Sequence, residues 1–167
     1  GSGDSGGACS PLNAKVFGGD SCNQSSRTPV VFLVAVGNAG ESYFELGFCT
    51  AALITLDDIL TSAHCFTDIF IGARQRGIIV AGYVAYVGGR QGEVIPLNRV
   101  AIHPFYSGQP GSPFDVAMAT LAKVPSPPIG PLPLLLAEIT GPGSRITAYG
   151  YGTNQTGEVG ELRASEF

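Results

Sequence analysis

The chemistry this 167-residue chain could perform is concentrated at one histidine, His64, set in Leu60-Thr61-Ser62-Ala63-His64-Cys65. A neutral imidazole, titrating near pH ~6.5, can take a proton from a hydroxyl or thiol under ordinary conditions. The same residue reads equally well as a satisfied, partly buried histidine beside a structural cysteine. Asp115, in Phe114-Asp115-Val116-Ala117-Met118-Ala119, places a carboxylate directly ahead of an apolar run. Such a group either solvates a strand start or, held against a histidine, fixes its tautomer and stabilises the imidazolium formed during proton transfer. His64 and Asp115 are therefore a candidate base and its orienting acid. The second histidine, His103, precedes Pro104 and aromatic residues, and reads as part of a strand-end turn.

The elements that must position these groups read as short strands. Pro29-Val30-Val31-Phe32-Leu33-Val34-Ala35-Val36 is β-branched and aromatic and runs into the turn signal Gly37-Asn38-Ala39-Gly40. Extended patterns resume in residues 43–49, 51–56 and 59–60. Residues 77–87, interrupted by Gly82, fit a bent strand or hairpin. Further extended pieces are expected at 94–97, 99–102 and 116–121, giving an all-β reading with little helical periodicity. Residues 123–133, with Pro125, Pro127, Pro128, Pro131 and Pro133, suit an extended connector over a surface or between lobes. Strands are expected again around 134–136 and 144–150. The chain thus divides into a glycine-rich leader (1–15), a barrel-forming region (16–122), a connector (123–133) and the start of a further lobe (134–167). Gly1-Ser2 and Glu166-Phe167 match dipeptides left at cloning junctions, so the ends read as those of an expressed segment.

Composition narrows the function classes. A formal charge of -4, from nine basic and thirteen acidic residues, supplies no basic stripe for phosphates, which argues against a nucleic-acid partner. The apolar runs fall short of the roughly 20 residues that cross a bilayer, so no membrane association is expected. Cys9, Cys22, Cys49 and Cys65 are widely spaced and form no metal knuckle. Disulfides in an oxidising compartment account for them better, and zinc has little support. Asn23-Gln24-Ser25 and Asn154-Gln155-Thr156 match the glycosylation acceptor pattern.

Several motifs, in order, resemble the chymotrypsin-like (trypsin-like) serine proteases. Thr61-Ser62-Ala63-His64-Cys65 is similar to that family's catalytic-histidine motif, and Asp115-Val116-Ala117 to its aspartate motif. Val100-Ala101-Ile102-His103-Pro104-Phe105-Tyr106 resembles the stretch ahead of that aspartate. Val16-Phe17-Gly18-Gly19 resembles the amino terminus made by activation cleavage, here after Lys15, as in a zymogen. Gly150-Tyr151-Gly152-Thr153 resembles the opening of the second half, with Tyr151 in place of tryptophan. The resemblance implies a chymotrypsin-like antiparallel β-barrel with an incomplete second barrel. It also implies a Cys49–Cys65 disulfide and leaves Cys9 with Cys22 as a substitute pairing.

The serine motif of this family resembles Gly3-Asp4-Ser5-Gly6-Gly7, displaced here to the amino terminus. Carried over residue by residue, Ser5 is the nucleophile, the amides of Gly3 and Ser5 donate to the oxyanion, His64 is the base and Asp115 orients it. The expected partner is a polypeptide substrate or another protein. The expected setting is secreted or extracellular. Two functions follow. One is a secreted serine endopeptidase, or a segment of one, acting through an acyl-enzyme with neither a metal nor an organic cofactor; the other is a catalytically inactive protease-like binding or inhibitory module.

Overall fold

The computed structural model describes residues 27–109, 111–134, 141–144, 146–153 and 157–166. Among them the strands β1 (Val30–Ala39), β2 (Ser42–Leu53), β3 (Asp58–Thr61), β4 (Ile79–Val87), β5 (Glu93–Ile102) and β6 (Ala117–Leu121) form a closed antiparallel barrel. The barrel order is β1-β2-β3-β6-β5-β4, with β4 pairing back onto β1. Closure removes every exposed sheet edge from this unit. Two further strands, β7 (Thr147–Gly150) and β8 (Arg163–Glu166), form a separate two-stranded sheet. The chain is thus all-β in class, with one complete barrel and an incomplete second sheet.

The unbroken apolar run in β1 has a direct cause. Val31 and Leu33 point into the barrel with Leu53, Ile59, Ala85, Val87, Ile95 and Leu121. Val30, Phe32 and Val34, on the opposite face, pack against Tyr151 and Leu162, which flank the strands of the second sheet. A strand covered on both faces loses the apolar-polar alternation of a half-exposed one. Phe32 is the centre of the outer cluster, 5.3 Å from the Tyr151 ring and 5.9 Å from that of Tyr86. The buried Tyr151 hydroxyl donates to the Val30 carbonyl at 3.3 Å. Burial pushes its phenol up to about 12.

Three expectations are corrected in the barrel. The turn after β1 is later than the Gly37 signal indicates, because Gly37 and Asn38 remain paired to Phe44 and Tyr43, and the chain reverses only at Gly40-Glu41. Gly40 has a φ of 75°, the left-handed region that favours glycine. Residues 94–97 and 99–102 are one strand. The register shift between Leu97 and Arg99 leaves Asn98 without a barrel partner across from β6, so the apparent break is a bulge.

The third correction is a helix. α1 (His64–Gln75) follows β3, although the sequence reads as having little helical periodicity. Phe66, Ile69, Phe70 and Ala73 stand at the i, i+3, i+4, i+7 positions of a helical face, a signal obscured by the strand-like residues around it. The helix ends where Gly77, at φ 69°, donates to the Arg74 carbonyl and Ile78 N–H reaches the Ala73 carbonyl at 2.9 Å. Those two bonds satisfy carbonyls that the last turn would otherwise leave open.

The connector lies along the barrel. Pro125 is fully buried, Ile129 packs on the core, and Leu132 N–H donates to the Leu53 carbonyl at 2.8 Å. Its entry is held at Glu93, whose carboxylate accepts from Lys123 at 2.7 Å, Ser126 N–H at 2.8 Å and Arg27 at 3.1 Å. The bonds from Lys123 and the Ser126 amide hold the Glu93 carboxyl below its ordinary range. Among the described residues no helix is long and apolar enough to cross a membrane.

Candidate active site

Strand pairing brings His64 and Asp115 together across 51 positions of sequence. β3 and β6 are antiparallel neighbours with Thr61 opposite Ala117. The end of one therefore lies beside the start of the other. His64 is three residues past Thr61, and Asp115 two residues ahead of Ala117. A one-residue slip would turn both strands' apolar side chains out of the core, so the register that fills the barrel also sets this pair.

The Asp115 carboxylate engages His64 twice. Its Oδ2 lies 2.7 Å from Nδ1 of the ring, and its Oδ1 accepts the His64 backbone N–H at 2.9 Å. With the carboxylate ionised, Nδ1 carries the hydrogen and Nε2 presents a lone pair. Desolvation pushes the Asp115 carboxyl up, but the hydrogen bonds from the His64 ring and amide and from the Ala63 amide outweigh this and hold it below its ordinary value. The second contact also serves the helix. Ala63, at the N-cap, has no side chain able to cap, and Asp115 supplies from elsewhere in the chain an acceptor for one of the open N–H groups of α1. The side chains of His64 and Asp115 are 48% and 30% exposed, so the ring is open to a reactant from solvent.

The residues beside His64 are equally constrained. Cys65 is bonded to Cys49 of β2, tying the first turn of α1 to the barrel wall. His64 Nε2 lies 3.9 Å from Cys65 Sγ. Cys49, His64 and Cys65 cluster within 4.8 Å, but both sulfurs are spent in the disulfide and neither is a thiolate ligand. Thr61 donates to the Thr50 carbonyl at 2.8 Å and braces the end of β3.

His103 occupies the turn after β5. Its N–H donates to the Val116 carbonyl at 3.0 Å, its Nδ1 accepts the Phe105 N–H at 3.2 Å, and its ring stacks on Phe114 at 4.9 Å. It thereby closes the loop that delivers Asp115. Gly3, Ser5, Cys9, Lys15, Val16 and Cys22 lie outside the described residues. Tyr83, whose hydroxyl meets the Phe66 carbonyl, has no motif to announce it, and Ala63, though inside the histidine motif, contributes through its backbone N–H, which its residue type does not signal.

A family model described as Trypsin matches residues 16–166. Among solved structures, that of GrC superposes with a TM-score of 0.66 at 20% identity, covering 90% of this chain and 64% of the other. That of HL collagenase superposes with a TM-score of 0.63 at 20% identity, covering 90% and 62%. The chain therefore spans less than two thirds of either structure. No curated protein matches it.

Proposed function

We propose, from the premise that this chain belongs to the trypsin family, that it carries the base-bearing half of a secreted serine endopeptidase. The observation that carries the reading is the 2.7 Å contact between His64 Nδ1 and Asp115 on an exposed, disulfide-tethered helix start. In this reading His64 Nε2 takes the proton of the serine hydroxyl as its oxygen attacks a peptide carbonyl. Asp115 holds the tautomer and stabilises the imidazolium, which then returns the proton to the departing amine. Water, deprotonated by the same imidazole, releases the acyl group. Ser5 is the nucleophile proposed from the Gly-Asp-Ser-Gly-Gly motif, with the amides of Gly3 and Ser5 as oxyanion donors and Lys15-Val16 as the activation site. The proposed division is leader 1–15, first barrel 16–122, connector 123–133 and second-lobe start 134–167.

The test is labelling of the folded, disulfide-intact chain with a serine-directed fluorophosphonate. Labelling that disappears in Ser5→Ala supports an active site within this chain. Its absence from the unsubstituted chain sinks intrinsic activity. A protease-like binding module is the second reading, favoured by an open apolar cavity of about 280 Å³ between α1 and the β4–β5 wall, lined by Phe66, Phe70, Val100 and Ile102. A chain that stays monomeric and captures no protein at physiological salt removes that reading's support.

A further inference from the structure

Three consecutive residues at the start of α1 are tied to three different segments. His64 meets Asp115 ahead of β6, Cys65 is bonded to Cys49 in β2, and Phe66 meets Tyr83 in β4. The Tyr83 hydroxyl donates to the Phe66 carbonyl at 3.2 Å, and the two rings meet edge to face with centroids 4.8 Å apart and planes at 73°. Tyr83 itself is fixed in the barrel wall opposite Ala35 of β1.

Beyond its first turn the helix is anchored mainly at its far end, by the buried Ala73 and the Gly77 turn. Only Cys65, Phe66 and Ala73 of α1 are buried, and Phe70 and Ile71 are 53% and 51% exposed. Beneath Thr67 and Phe70 the apolar cavity separates the helix from Val100 and Ile102. The Tyr83 contact is thus a third attachment of the first turn to the barrel, beside those at His64 and Cys65.

We propose that Tyr83 is a positioning residue for His64, holding the first turn of α1 at the rotation that keeps the imidazole Nδ1–H on Asp115. This rests on the reading of His64 as the base, and its test is independent of activity. Tyr83→Phe keeps the ring contact and removes the donor. The readout is exchange with water of the His64 Nδ1–H proton, followed by NMR on the folded chain. Without the hydroxyl the proton exchanges roughly three- to ten-fold faster, the effect of losing one modest hydrogen bond. Val34→Ala, in the cluster on the outer face of β1, controls for general destabilisation. Unchanged exchange in Tyr83→Phe, or equal acceleration in Val34→Ala, overturns the proposal. Should Tyr83→Phe fail to fold, Phe66→Leu decides the matter: it keeps the backbone acceptor, removes the ring contact, and must accelerate exchange beyond the control. Absent fluorophosphonate labelling leaves these NMR outcomes unaltered, so the two readings fail separately.

Discussion

Asp115 is asked to do two things with one carboxylate, and both are local electrostatics. One oxygen holds the His64 ring and the other accepts the first N–H of α1. Asp115→Asn removes the charge from both contacts. Its expected cost is about 1 kcal/mol in denaturant unfolding, the magnitude of a helix-terminus charge at a partly exposed site. Where the chain labels with fluorophosphonate, the labelling rate should fall by a factor on the order of 10⁴, because the amide favours the wrong imidazole tautomer. The pH dependence has a definite sign. The folded-state carboxyl titrates below its ordinary value, so its contribution is complete above about pH 4 and is lost as pH falls through the depressed folded value. Acid titration of stability should therefore be shallower in Asp115→Asn than in the unsubstituted chain. An unchanged acid slope would show that the contact adds nothing to folding.

At the scale of elements, the site depends on a strand pair and a short helix. β3 and β6 bring the two side chains together, and α1 turns His64 away from the barrel interior as soon as β3 ends. The helix is held at its start by the disulfide, Asp115 and Phe66, and at its end by the Gly77 turn. Gly77→Ala isolates that last anchor. A methyl group there meets no atom within 4 Å, so the cost is backbone strain at φ 69° alone. The expected loss is about 1 kcal/mol by thermal or denaturant unfolding. Amide exchange should accelerate first in the last turn of α1, with the β1–β2 amides unaffected. Equal acceleration in both places would mean that α1 and the barrel open as one unit.

Across the whole molecule, the barrel and the two-stranded sheet share β1 as a common wall. Phe32 faces the outer side, where it meets Phe48, Tyr86 and Tyr151. Phe32→Ala should cost about 3–5 kcal/mol, since the ring is fully buried and its neighbours come from two sheets. Hydrogen exchange should rise most in β7 and β8, whose attachment to the barrel runs through this cluster, while the inward cluster around Leu33 and Leu53 keeps its protection. Protection lost equally inside the barrel would refute the view that the outer cluster chiefly docks the second sheet.

Residue types and their order were enough to determine the all-β class, the strand-forming runs, and the His64 and Asp115 motifs, because side-chain chemistry and apolar patterning are local properties of a sequence. The same locality hid α1, whose face of Phe66, Ile69, Phe70 and Ala73 sits among residues that also suit strands. It misread Asn98 as a strand break and placed the turn after β1 too early, since a bulge and a paired glycine depend on the neighbouring strand. Nothing local announces Tyr83 as a contact of Phe66 or Glu93 as the anchor of the connector. The 2.7 Å contact of His64 with Asp115 was decided only by tertiary structure, because the groups are 51 positions apart and meet through the register of β3 on β6. That register is selected by burial of both strands' apolar faces in one closed barrel, a property of the assembled sheet and of no single segment.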